Sequence, residues 1–348
     1  MPVRSLPVHI YNEMRKSKNT QPFSPGTQMH SYSRLISVLK AAFCGSSKSA
    51  GPRLRPVPAT LARPEGTRRY LIATPSRGTA EKRPLVLVLH GAGASPEQVL
   101  GMAFPPSPLS LWLEIADREG LVVAAPDAGK GGWSDCFASE ARVARKDDVA
   151  FIDALIERAI ADHGVDPERV YLIGVSRGGH MAYRVAAEIP HRLAAFSTVL
   201  ANMPPPGRTR MPAVPLPALV FGATADPLIP YHGGKFFYTL GFADPVSSIE
   251  DSVRVWRELA GLPDVPDVAR LGKREVRDKT SVTRFMWGQA ADALQVGLYR
   301  IEHGGHVEPS RRRRYSGFIN MLVGPQNADV EVAEAAWEFF RDKRATPR

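Results

Sequence analysis

The chain has only two cysteines among its 348 residues, Cys44 and Cys136. They allow at most one disulfide, have no CxxC spacing, and build no thiolate metal site. No run of eighteen apolar residues occurs, so no segment reads as a membrane-spanning helix. A phosphate-binding loop is missing too. "GAGAS" at 91–95 lacks the glycine spacing and lysine that such a loop needs, which leaves nucleotide binding unsupported. No internal repeat is visible. Acidic residues are scarce at one end: between Met1 and Gly66 ten Lys or Arg face only Glu13 and Glu65.

That scarcity explains most of the formal net charge of +10. The first 66 residues hold about +8 of it, and the rest of the chain is close to neutral. A basic tail on a near-neutral body argues against a nucleic-acid partner. "RRRR" at 311–314 is the one dense cluster in the body. It reads as a solvated loop, since no aromatic-studded binding motif accompanies it. Residues 1–66 are rich in Pro, Ser, Lys and Arg, have little periodicity, and are expected to be disordered. Within them "RLISVLKAAFCG" has a short apolar core that Lys40 interrupts, so it is not a clean signal peptide. A targeting segment and a plain tail both remain open there. A catalytic domain is expected over 67–345, where a chain with 44% hydrophobic residues can build a sizeable core.

From residue 67 onward strand and helix patterns alternate. "TRRYLIATP" reads as an edge strand and "RPLVLVLHG" (83–91) as a fully buried one. "GLVVAAP" (120–126), "RVYLIGV" (169–175), "LPALVFGATAD" (216–226) and "VGLYRIEHGGH" (296–306) continue the series. Between and after them lie helical patterns: "SLWLEIADREG", "DDVAFIDALIERAIADHG", "IEDSVRVWRELAG" and "DVEVAEAAWEFFRDKR". The fold class is therefore α/β, a mainly parallel sheet with helices on both faces. The proline-rich stretch 203–217, "MPPPGRTRMPAVPLP", is expected to form a short lid-like loop over the strand ends, where ligands bind.

One junction has no room for a loop. "RVYLIGV" runs straight into the helical "HMAYRVAAEI" through Gly174-Val175-Ser176-Arg177-Gly178. A strand that turns directly into a helix bends sharply, and Gly174 and Gly178 leave space because they carry no Cβ. The pentapeptide matches the G-x-S-x-G nucleophile elbow in sequence and in context. The alternative is a strand–helix turn with a capping serine.

A serine nucleophile needs a base, an acid to orient the base, and donors for the developing oxyanion. Asp226 follows a strand end, and a later strand ends in a glycine loop bearing His303 and His306. The order Ser176, Asp226, His306 is that of α/β-hydrolases. His306 follows two glycines and has the freer loop for reaching Ser176, whereas His303 lies nearer the strand and reads as a packing residue or a support to the site. Asp226 could instead cap the turn "ADPLIP". Asp127 is a rival acid that breaks the order. The two histidines lack the clustered carboxylate or thiolate of a metal site, so no metal and no cofactor is expected. Upstream, His90-Gly91-Ala92-Gly93 ends a strand with small residues that let a backbone N–H approach a substrate oxygen, together with the N–H of Arg177. His90 would orient that loop from below, and His180 reads as a packed histidine.

These residues resemble the polyhydroxybutyrate depolymerase and feruloyl esterase group of α/β-hydrolases over roughly 67–345. The resemblance is carried by "PLVLVLHG", by "DDVAFIDALIERAIADHGVDPERVYLIGVSRGGHMAYRVAAE", by "FGATADPLIPYHGG", by "GGH" and by "AAWEFF". It implies Ser176 as nucleophile, Asp226 as acid and His306 as base, with Ala92 and Arg177 supplying oxyanion amides. It also implies a small-molecule or oligomeric ester as substrate, and an extracellular or cell-envelope location with a cytoplasmic one as the alternative. Two positions depart from the family pattern: Glu308 stands where an aromatic is common, and Arg177 where a small or amide residue is. With Arg208 and Arg210 they are expected to place charge near the cleft. The expected activity is serine carboxylic-ester hydrolysis of short-chain or hydroxyacyl esters. A serine peptidase or acyltransferase on the same scaffold is the alternative enzyme, and an inactive hydrolase fold used as a binding module is the alternative outside catalysis.

Overall fold

A computed structural model of the protein describes residues 54–75, 82–138, 143, 145–207, 210–238, 241–290 and 294–345. All of them belong to one compact unit, Ser49–Arg348. Cys44, Arg208 and most of the basic leader lie outside the described residues.

The centre is a ten-stranded sheet in the order β1-β2-β4-β3-β5-β6-β7-β12-β11-β10. In chain order these are β1 (Val57–Arg63), β2 (Gly66–Ala73), β3 (Arg83–Leu89), β4 (Val122–Pro126), β5 (Val165–Val175), β6 (Ala195–Val199), β7 (Ala218–Ala223), β10 (Asp267–Arg270), β11 (Ser281–Trp287) and β12 (Val296–Glu302). β8 (Gly234–Tyr238) and β9 (Gly241–Val246) form a separate hairpin. From β4 through β12 the central strands pair in parallel, and antiparallel strands flank them at both ends. This is the α/β-hydrolase fold.

Why the strands are buried on both sides is plain in β3. Leu85, Leu87 and Leu89 join the core on one face, and Val86 and Val88 join the core on the other. A parallel strand covered on both faces must read as a continuous apolar run, and this one does. One face is covered by α3 (Asp148–His163), α4 (Arg177–Glu188) and α5 (Ile249–Leu259), which supply Phe151, Ile156, Met181, Val185 and Trp256. The other is covered by α2 (Trp112–Glu119) and α7 (Val332–Phe340). There Phe340 stacks between Tyr171 and Trp112, with centroids 5.1 and 6.2 Å away. The short helices α1 (Pro96–Val99) and α6 (Gly317–Val323) sit in loops.

Two expectations about the chain's start need correction. The folded region does not begin at residue 67, because Val57–Arg63 form β1 and pair antiparallel with β2 in register from Val57↔Ile72 to Arg63↔Gly66. "TRRYLIATP" is accordingly not the edge but the second strand. The stretch 203–217 connects the C-terminal end of β6 to the N-terminal end of β7. Its first residues are tied down, with the Met203 amide donating to Ser252 Oγ at 2.9 Å. A second excursion, the β8–β9 hairpin, follows β7 and Asp226.

Candidate active site

Ser176 sits between β5 and α4 with φ 55° and ψ −121°, a strained backbone for a residue with a Cβ. The flanking glycines are required by close approach and not by positive φ. A Cβ on Gly174 would lie 2.1 Å from the Gly178 carbonyl oxygen, and one on Gly178 would lie 2.4 Å from the Leu89 carbonyl oxygen. Both obstacles are backbone, so neither can yield. The serine side chain is left partly exposed above the C-terminal ends of the parallel strands.

His306 reaches it from the loop after β12. Its Nε2 is 2.9 Å from Ser176 Oγ and its Nδ1 is 2.6 Å from Asp226 Oδ2. The "GGH" spacing has a physical reason: Gly305 packs against the chain at 323–324, where a Cβ would come within 2.2 Å of the Val323 carbonyl oxygen. The His306 amide then donates to that same oxygen at 2.6 Å. The Asp226 carboxylate does both things that its sequence context allows. Oδ1 accepts the Leu228 and Ile229 amides at 2.8 and 2.9 Å, which caps the turn, and Oδ2 holds the histidine. The structure therefore brings Ser176, His306 and Asp226 into one hydrogen-bonded line. Burial is the largest influence on the imidazole and works to lower its pKa. The charge and hydrogen bond of Asp226, with the Glu308 charge added, outweigh it and raise His306 above the ordinary 6.5.

The rival residues lie elsewhere. Asp127 pairs with Arg69, its Oδ2 at 2.6 Å from Nη2. His303 is exposed in the left-handed region, φ 59°, with its amide donating to Thr224 Oγ1 at 2.8 Å, so of its two expected roles packing does not apply. His90 is buried and ties two loops together. Its Nε2 accepts the Ala128 amide at 3.1 Å, and its carbonyl accepts Trp133 Nε1–H at 2.8 Å. His180 is packed, as its helical context led one to expect.

The backbone of the "HGAG" turn passes close over the serine: a Cβ on Gly91 would be 3.5 Å from Ser176 Cβ. Ala92 follows on its exposed crest. Arg177 opens α4, at the helix end whose amides have no intrahelical acceptor.

Two of the residues expected to place charge near the cleft, Arg177 and Glu308, are buried. The Arg177 side chain turns inward, where Nε donates to the fully buried Asp135 at 2.8 Å and Nη2 donates to the Trp133 carbonyl at 2.6 Å. Glu308 is only 6% exposed and accepts from Ser107 Oγ at 2.7 Å and Tyr315 Oη at 3.1 Å. Arg210 is exposed. The tetra-arginine stretch is not simply solvated either: Arg312 and Arg313 reach Glu114, and Arg314 Nη1 donates to the Ser310 carbonyl at 3.0 Å.

Residues that sequence reading missed come from the "GGWSDCF" loop and the β8 strand. Asp135 and Trp133 clamp Arg177, and Phe137 and Phe236 meet the ring of His180. A tryptophan and an aspartate inside a glycine-rich loop were the available signal. Among the described residues no helix is long and apolar enough to cross a membrane, and no group of three or more His, Cys, Asp or Glu could hold a metal ion.

Sheet order, elbow and loop-borne histidine define an α/β-hydrolase. Comparison with known proteins takes this further. The esterase PHB depolymerase family model matches residues 68–202. "Putative esterase NocK" of Nocardia uniformis subsp. tsuyamanensis is 37% identical over 294 residues, 79% of each chain. Feruloyl esterase B of Piromyces equi is 25% identical over 69% of this chain and 43% of its own length. Poly(3-hydroxybutyrate) depolymerase of Ralstonia pickettii is 31% identical over 37% of this chain and 27% of its own. The chain belongs to the PHB depolymerase family of esterases, a family of carboxylic-ester hydrolases.

Proposed function

We propose that the protein is a serine carboxylic-ester hydrolase that works through an acyl-enzyme on short-chain or hydroxyacyl esters. The observation that carries this reading is the hydrogen-bonded line from Ser176 Oγ through His306 to Asp226. His306 Nε2 takes the Ser176 proton as Oγ attacks the ester carbonyl carbon. Asp226 accepts from Nδ1–H, holds the imidazole in that tautomer, and stabilises the imidazolium that forms. The carbonyl oxygen, now negative, is received by the amides of Ala92 and Arg177. The tetrahedral intermediate collapses, the C–O bond to the alcohol breaks, and His306 gives its proton to the leaving oxygen. Water then attacks the acyl-enzyme with His306 again as base, which releases the acid and restores Ser176.

The inward-turned Arg177 supports this assignment of its amide. A guanidinium fixed by Asp135 and Trp133 anchors the first turn of α4 and leaves the backbone as the group near the substrate. A short acyl group is supported by the crowded side of the site, where His180, Ile229 and Phe236 are all buried. An ester panel of p-nitrophenyl acetate, butyrate, octanoate and decanoate, run on wild type beside Ser176→Ala, tests the reading. Turnover greatest at four carbons or fewer and abolished by the substitution is the expected result. A maximum at about ten carbons would point to an apolar slot in which each methylene adds binding, and would remove the short-acyl assignment.

A further inference from the structure

His180 takes no part in the mechanism above. Its ring is fully buried, and among the described residues neither Nδ1 nor Nε2 has a hydrogen-bond partner. An orphaned buried polar atom costs about 1–3 kcal/mol, a cost that an apolar side chain of similar volume avoids. Burial, the dominant influence, lowers its pKa to about 4. The ring is therefore neutral near pH 7, with one nitrogen able to donate and the other to accept.

Its surroundings are built for something other than core. Ile229, Phe236 and Val246, with Phe137 and Leu228 against them, form a small cluster separate from the two cores that cover the sheet. Phe137 and Phe236 meet the imidazole edge-on at 4.8 and 5.5 Å between centroids. Three of these residues are tied to groups of the site. The His180 amide donates to the Ser176 carbonyl at 3.0 Å, one helical turn from the nucleophile. Ile229 rides on the turn that Asp226 caps. Phe137 lies two residues beyond Asp135, which fixes Arg177. Phe137 is only half-buried, so its ring is the part of this enclosure that a ligand can displace. The whole stands at the C-terminal ends of the parallel strands, where α/β folds bind ligands.

We propose that His180 is a specificity-determining residue, the floor of an acyl side pocket walled by Phe137, Phe236 and Ile229, where a ring nitrogen hydrogen-bonds an oxygen carried on the acyl chain. The proposal rests on Ser176 being the nucleophile. An oxygenated acyl group satisfies an orphaned nitrogen, and a plain alkyl group of the same length leaves both unsatisfied, so the enzyme discriminates between them.

The test compares kcat/KM for p-nitrophenyl methoxyacetate and 3-hydroxybutyrate with that for p-nitrophenyl butyrate, in wild type, His180→Leu and His180→Gln. Differences in chemical reactivity between the esters cancel when the ratio of one enzyme is divided by that of another. The preference for the oxygenated esters is expected to fall about tenfold or more in His180→Leu, the loss of one good hydrogen bond. Glutamine, which keeps a donor and an acceptor, is expected to recover part of it. An unchanged ratio in His180→Leu overturns the proposal. If leucine prevents folding, His180→Met supplies the same comparison. A wild-type ratio no greater than that for hydroxide-catalysed hydrolysis also overturns it, without any variant. Failure of the serine mechanism is read separately, as undiminished butyrate hydrolysis by Ser176→Ala.

Discussion

At Asp226 the two carboxylate oxygens divide their work between the turn and His306. Asparagine keeps the shape but offers an NH2 to His306 Nδ1 or forces the other tautomer, so Asp226→Asn should cost on the order of 10³–10⁴ in kcat while the fold survives. Ser176→Ala and His306→Ala should each cost at least as much, and nearly the same, because the residues act as a unit. Steady-state kinetics on a p-nitrophenyl ester and a thermal melt check both halves. The pH dependence follows from the sign of the shift at His306. The base must be neutral to accept a proton, and its pKa lies above 6.5, so kcat/KM should rise with pH through a midpoint above that value. Glu308 adds to this elevation, and Glu308→Gln should move the rising limb to lower pH. A midpoint unmoved by that substitution would show that the buried carboxylate serves the loop and not the base. Ser176, Asp226 and His306 were legible in the sequence because chain order and strand-end position constrain them. Arg177 was misread, since its partner Asp135 lies 42 positions away and no local pattern announces the pair.

Among the elements, the elbow is the one most tightly specified by sequence. Gly174→Ala puts a methyl 2.1 Å from a backbone oxygen that cannot move without shifting α4 against β5. Overpacking typically costs about 1–3 kcal/mol, and a backbone obstacle puts this case at the upper end. Gly174→Ala should therefore lower the urea midpoint clearly and reduce activity. A variant with unchanged stability would mean that the junction is looser than described. The central strands were readable because burial on both faces forces continuous apolar runs. β10 and β11 were not: β10 is mostly exposed and β11 only partly buried, so neither shows an apolar run or a clean alternation. β6 escaped for another reason, being five residues long directly after a short helical turn. The β8–β9 hairpin is marked by Gly233 and Gly234, both at positive φ, which read as loop.

For the whole molecule, the limit of the folded region is the main point that composition did not show. In β1 only Leu61 is buried, so no periodicity betrays a strand. Its place is fixed by backbone pairing with β2, which makes little demand on side-chain type. Deleting residues 1–53 should leave the melting temperature and esterase activity unchanged. Deleting through Arg63 should lower the melting temperature by several degrees and promote association, because the edge of β2 is then bare. Equal stability of the two truncations would show that β1 contributes nothing to the sheet.

The central claim is that Ser176 is a nucleophile activated by His306. Intact-protein and peptide mass spectrometry after treatment with a fluorophosphonate tests it most directly, since only an activated serine reacts. One adduct per chain is expected, mapping to the peptide that contains Ser176, absent in Ser176→Ala and strongly slowed in His306→Ala. An adduct on another residue, or labelling as fast in His306→Ala as in wild type, contradicts it.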